Sequence, residues 1–187
     1  MRAQETELWH RLADYEIGPD EAAFTFAQRL ARENRWSAEY AARVIRDYKR
    51  FCWLACAAGH EVTPSDAVDQ AWHLHLTFTR DYWERFCPEV LHMPLHHGPT
   101  AGGATERTRY YDQYAQTLAS YVTHFGEPAP TDIWPAAHRR FVVDPRGVRV
   151  NPADVAIVPR RRLMILATGV AVAIAIAFAA LVAAAMM

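Results

Sequence analysis

The chain lacks an excess of either charge: 20 Lys and Arg face 21 Asp and Glu, for a formal net charge of −1. Nucleic acid is therefore not expected as a partner, since binding phosphates requires a surplus of cations to displace their counterions. Cysteine is scarce, with three residues. Cys52 and Cys56 stand four apart with no C-x-x-C partner, and Cys87 is alone, so the spacing gives no cysteine-built zinc framework. All three read as free thiols in a reducing compartment. There is no internal repeat, which excludes a solenoid, and no Ser, Cys and His spacing that suggests a nucleophilic triad. The opening "MRAQETELWHRLADYE" has no basic-then-apolar leader pattern, so nothing is expected to carry the N-terminal part across a membrane.

What the chain does have is apolar residues at helical spacing. Leu8, Leu12 and Tyr15 form one stripe, and Pro19, Asp20 and Glu21 suit the first turn of a second helix. A third helix is predicted from an N-cap at Ser37 to Gly59, with Tyr40, Val44, Tyr48 and Phe51 on its apolar face. A fourth starts at Thr63-Pro64-Ser65-Asp66 and runs to about Cys87. The segment "LHMPLHHGPTAGG" is a loop, a fifth helix spans about Thr105 to Phe125, and "TDIWPAAHRRF" suggests a short sixth. "FVVDPRGVRV" suggests a β-hairpin near residues 141–150 around its Asp-Pro-Arg-Gly turn. The fold class expected is all-α: an irregular helical bundle with a central His/Trp helix over residues 1–140, a juxtamembrane linker over 141–162, and an anchor over 163–187.

That anchor follows from the run Leu163 to Met187, which contains no charged residue. About 25 residues at roughly 1.5 Å each exceed the roughly 30 Å of hydrocarbon in a bilayer, so a transmembrane helix is predicted, with Leu163, Ile165, Ala175, Phe178 and Leu181 among its apolar residues. Arg160, Arg161 and Arg162 precede it, and the positive-inside bias then keeps the N-terminal domain in the cytoplasm. The expected protein is single-pass, tail-anchored and membrane-bound, with Arg146 and Arg149 adding contact to anionic lipid.

The fourth helix carries the chemistry. Turning roughly 100° per residue, Asp66, Asp69, Trp72, His73, Leu76, Arg80 and Trp83 share one face. Val68, Ala71, His75, Phe78, Tyr82 and Phe86 share the opposite one, leaving Gln70, Thr77, Asp81 and Glu84 as a solvent edge. His73 and His75 therefore diverge by about 200° and cannot hold one metal together. His75 reads as a buried neutral imidazole bonded to a backbone carbonyl or a tyrosine. His73 has a carboxylate one turn back in Asp69. Either Asp69, Trp72, His73 and Arg80 form a structural polar cluster, or Asp69 and His73 supply two metal ligands, with others from His92, His96, His97 or Glu106. Carboxylate and imidazole suit Zn, Fe or Mn.

The run Asp69-x-x-Trp72-His73-x-His75, followed by Tyr82, Cys87 and "LHHGPT", resembles the helical domain of the glycine-rich domain-containing protein family, over about residues 20–140. The resemblance implies an all-helical domain of bacterial type and singles out Asp69, Trp72, His73 and His75; it implies no substrate. The chain departs from the family in having no glycine-rich tail. Two functions remain in view. One is a cytoplasm-facing, membrane-tethered interaction or scaffold module with a protein partner. The other is a metal-dependent protein, a hydrolase or an oxygen-activating enzyme, using Zn or Fe on Asp69, His73 and one or two of the loop histidines.

Overall fold

A computed structural model describes residues 3–19, 21–144 and 160–185. They fall into two compact units, Met1–Asp144 and Pro145–Met187. The first contains α1 (Ala3–Asp14), α2 (Phe26–Asn34), α3 (Ala38–Ala57), α4 (Asp66–Thr77), a π-helix (Asp81–Leu91), α5 (Gly103–Phe125) and a π-helical turn (Arg139–Val143). The second contains α6 (Arg160–Ala185). No strand occurs among the described residues.

Side-chain caps set the helix starts. The Ser37 hydroxyl accepts from the Tyr40 N–H at 3.1 Å and opens α3 where expected. For α4 the capping hydroxyl is that of Ser65, bonded by the Val68 N–H at 3.2 Å, two residues later than the Thr63 start. α2 begins later than the Pro19–Glu21 signal because Thr25 and Gln28 form a reciprocal capping box.

α3, not α4, is the central helix: α1, α2, α4, α5 and the π-helix all pack on it. Its Val44, Tyr48, Phe51, Cys52, Trp53 and Leu54 are buried, joined by Leu12, Leu30, Val68, Tyr82, Phe86, Tyr114 and Trp134. The core is thus built largely of aromatic rings, each worth a large apolar area. Asp47, also buried, accepts from Tyr121 Oη at 2.9 Å and Trp134 Nε1 at 3.1 Å, which pins α5 and the segment after it to α3.

The predicted fourth helix is two elements. Thr77 Oγ1 donates to the Leu74 carbonyl at 2.7 Å, Phe78 N–H closes a tight turn on the His75 carbonyl, and Phe78 leaves helical geometry at φ −85°, ψ 58°. The chain restarts as a wide π-helix that contains Pro88, a residue lacking the N–H a regular α-turn requires.

The hairpin expected near 141–150 does not begin at Phe141. Arg139–Val143 form a helical turn instead, because Arg140 reaches back to Asp66 Oδ1 at 3.1 Å and to the Pro64 carbonyl, and lies over the Tyr114 ring at 4.6 Å. Residues 145–150 lie outside the described residues. Nor is "TDIW" helical; it is a turn whose Ile133 and Trp134 enter the core. The C-terminal run does form a helix, α6, yet no helix among the described residues is long and apolar enough to cross a membrane. Residues 186 and 187 of that run lie outside the described part.

Candidate metal centre

Asp69 and His73 are one turn apart on α4, whose start is fixed by the Ser65 cap, so their side chains project from one face. His97 comes from the loop between the π-helix and α5. Its Nε2 lies 2.9 Å from Asp69 Oδ1, while His73 Nε2 lies 3.8 Å from Asp69 Oδ2. One ligand atom from each of the three lies within 4.8 Å of the others. The carboxylate thus sits between two imidazoles whose rings are 4.5 Å apart. Side-chain exposure falls from 51% at His73 to 24% at Asp69 and 21% at His97, so the group is open on the His73 side.

A buried clamp holds the loop in place. Trp72 Nε1 donates to Tyr82 Oη at 2.9 Å, and Tyr82 Oη donates to the Leu95 carbonyl. The Trp72 ring then lies 4.4 Å from the His97 ring, and Trp83 lies 5.4 Å from His96. Trp72 therefore faces inward while its neighbours at 69 and 73 face out. The chain brings together Asp69, Trp72, His73 and one loop histidine, His97.

The other candidates stand elsewhere. Arg80 is exposed and lines a shallow cleft with Gly18, Pro19, Phe78, Glu84 and Arg85, because the break at Phe78 rotates everything after it away from the Asp69 face. His92 ends the π-helix in the left-handed conformation at φ 58°, and His96 packs on Trp83. Glu106 is bound to Arg109 at 2.8 Å and to Thr100 at 3.3 Å. None of these joins the group around Asp69.

His75 is fully buried, with Nδ1 2.9 Å from Tyr48 Oη and Nε2 2.9 Å from Asp81 Oδ2. An ionised Asp81 accepts from Nε2–H, leaving Nδ1 to accept from the Tyr48 hydroxyl. Asp81 Oδ1 also accepts from Tyr15 Oη at 2.9 Å and Arg85 Nη1 at 3.1 Å. Burial pushes the His75 pKa down, with Asp81 opposing. For Asp81, burial works upward, but the hydrogen bonds from His75 and Tyr15 outweigh it and hold the carboxyl below its ordinary range. The expected tyrosine partner is thus present, whereas Asp81, placed on the solvent edge by a continuous helical projection, is the buried acceptor that projection missed. This pin joins α3, α4, the π-helix and the segment that follows α1.

The thiols offer no second centre. Cys52 and Cys87 are buried and Cys56 partly so, and burial raises Cys56 to about 11, far from a reactive thiolate. Two imidazoles and one carboxylate, by contrast, form a donor set that suits Zn, Fe or Mn.

Residues 21–113 match the model of a family described as UCP032817-like, an uncharacterised family. This corrects the resemblance to the glycine-rich domain-containing proteins: a short Asp, Trp and His pattern at helical spacing is too little to identify a family. The matched span covers Asp69, Trp72, His73, His75, Asp81, Tyr82 and His97. No curated protein and no solved structure matches the chain.

Proposed function

We propose that the protein is a divalent-metal-binding helical module, with Asp69, His73 and His97 as its ligands and Zn or Fe as its metal. The observation that carries this reading is the convergence of one carboxylate and two imidazoles to within 4.8 Å. Bound Zn would supply a Lewis acid for hydrolysis, and Fe a centre for oxygen activation. Asp69 would contribute the only anionic ligand, and Trp72, through Tyr82, would hold His97 in place. Neither ligand imidazole has an Nδ1 hydrogen bond among the described residues, so the outer support of the site would rest on the Trp72–Tyr82–Leu95 clamp that holds the His97 loop, support that is worth about 10–100-fold in affinity.

Titration of the purified full-length protein with Zn2+ tests this. Saturable binding should weaken sharply in His73→Ala and His97→Ala and survive in His92→Ala; binding unaffected by His73→Ala and His97→Ala would refute it. A second reading is favoured by the direct 2.9 Å contact between His97 and Asp69. There the same residues are a metal-free clasp that fixes the loop for a protein partner, and the titration shows no saturable uptake.

The module is further proposed to face the cytoplasm from a membrane. Support comes from the uncharged run Leu163 to Met187 behind three arginines, and from the exposure of Met164, Ile165, Val170, Val172, Ile174 and Ile176 on α6. Apolar side chains exposed in this way along a helix need lipid or another apolar surface.

A further inference from the structure

We infer that a metal held by Asp69, His73 and His97 keeps coordination positions open toward solvent, and that these positions take a small anion chelating through two oxygens. The inference rests on the metal reading above and adds the class of its exogenous ligand.

Ligand count is the first ground. Structural zinc sites are closed by four protein ligands, whereas sites that bind substrate keep a position for water or an incoming group. Only three residues converge here among the described ones. Two other donors near the loop stand outside the group: the His96 ring packs near Trp83, and Glu106 is bonded to Arg109 and Thr100.

The direction of opening is the second. The Trp72 ring, itself buried, closes the inner side of His97 at 4.4 Å. On the other side His73 is half exposed, and Asp69 and His97 each retain about a fifth to a quarter of their surface. An incoming molecule therefore meets the ligand atoms from the His73 side without displacing core residues.

Charge is the third. One carboxylate against a divalent cation leaves the centre one positive charge in excess, and no second carboxylate belongs to the group. An anion with two oxygen donors neutralises that excess and fills two positions at once, a gain that hard oxygen ligands bring to Fe, Mn or Zn.

The test uses Co2+ in the full-length protein, followed by visible absorption, with acetohydroxamate as the chelating probe. Cobalt bands should form, should be lost in His97→Ala, and should shift saturably on addition of acetohydroxamate while equilibrium dialysis shows the cobalt still bound. Bands that ignore the probe mean a closed site and overturn the inference while leaving the metal reading intact. So does stripping of the cobalt by the probe, or loss of the bands in His96→Ala, which would reveal a fourth protein ligand. Absence of any cobalt binding removes the metal reading itself, and this inference with it.

Discussion

Replacing Asp81 with alanine would strip the fully buried His75 of the acceptor for its Nε2–H, 2.9 Å away, and would free Tyr15 and Arg85 from the same carboxylate. An orphaned buried donor costs about 1–3 kcal/mol, and breaking a buried charged partner costs about 3–5 kcal/mol. Arg85 is partly solvated and its share is small, so a loss of about 3–4 kcal/mol is expected within those ranges. Urea unfolding of the full-length protein in mild detergent, followed by tryptophan fluorescence, measures it. The double variant His75→Leu/Asp81→Leu should recover only part of the loss, because the imidazole donor goes with its acceptor while the buried Tyr48 hydroxyl loses its partner at Nδ1. The wild type should also lose stability in acid. The His75 pKa is lowered in the fold, so the unfolded chain binds the extra proton, and stability present above about 6.5 falls as the pH drops below it. The depressed Asp81 adds a second loss as the pH falls below about 3.8. A cost below about 1 kcal/mol for Asp81→Ala, within the range of an exposed contact, would refute the view that this pair pins α3, α4 and the π-helix together.

Tyr82→Phe removes the hydroxyl between Trp72 Nε1 and the Leu95 carbonyl; metal affinity should fall about 10–100-fold by titration while circular dichroism stays helical. Asp47→Asn should cost less than about 1 kcal/mol in the same unfolding assay, because its amide oxygen can still accept from Tyr121 and Trp134, whereas Asp47→Ala should cost about 1–3 kcal/mol. Burial raises the Asp47 pKa, so the fold prefers its neutral form; in Asp47→Asn the decline in stability as pH rises above about 3.8 should disappear. A fluorescent fusion of the full chain should sediment with membranes, and soluble fractionation would contradict the anchoring role of α6.

Local signals in the sequence carried well and long-range ones did not. Ser37 announces α3 because a cap involves residues three apart, and Asp69 with His73 is legible for the same reason. Asp-Glu after Pro19 looks like a first turn, but the reciprocal Thr25 and Gln28 bonds win. At Phe78 there is no Gly or Pro to warn of a break; it arises from hydrogen bonds at Thr77 and His75 that are individually ordinary. Once the helix breaks there, Arg80 and Asp81 exchange their expected places, Arg80 going to solvent and Asp81 to the buried imidazole. Which loop histidine reaches Asp69 depends on how Tyr82 and Trp72 grip the loop, a tertiary contact that neither spacing nor composition encodes.

The metal centre is tested most directly by the metal content of the full-length protein purified without a histidine tag. Stoichiometric Zn or Fe in the parent, lost in both Asp69→Ala and His97→Ala, is the predicted result. A parent that folds with its native helicity, carries no metal and takes up none on incubation with Zn2+ or Fe2+ would contradict it.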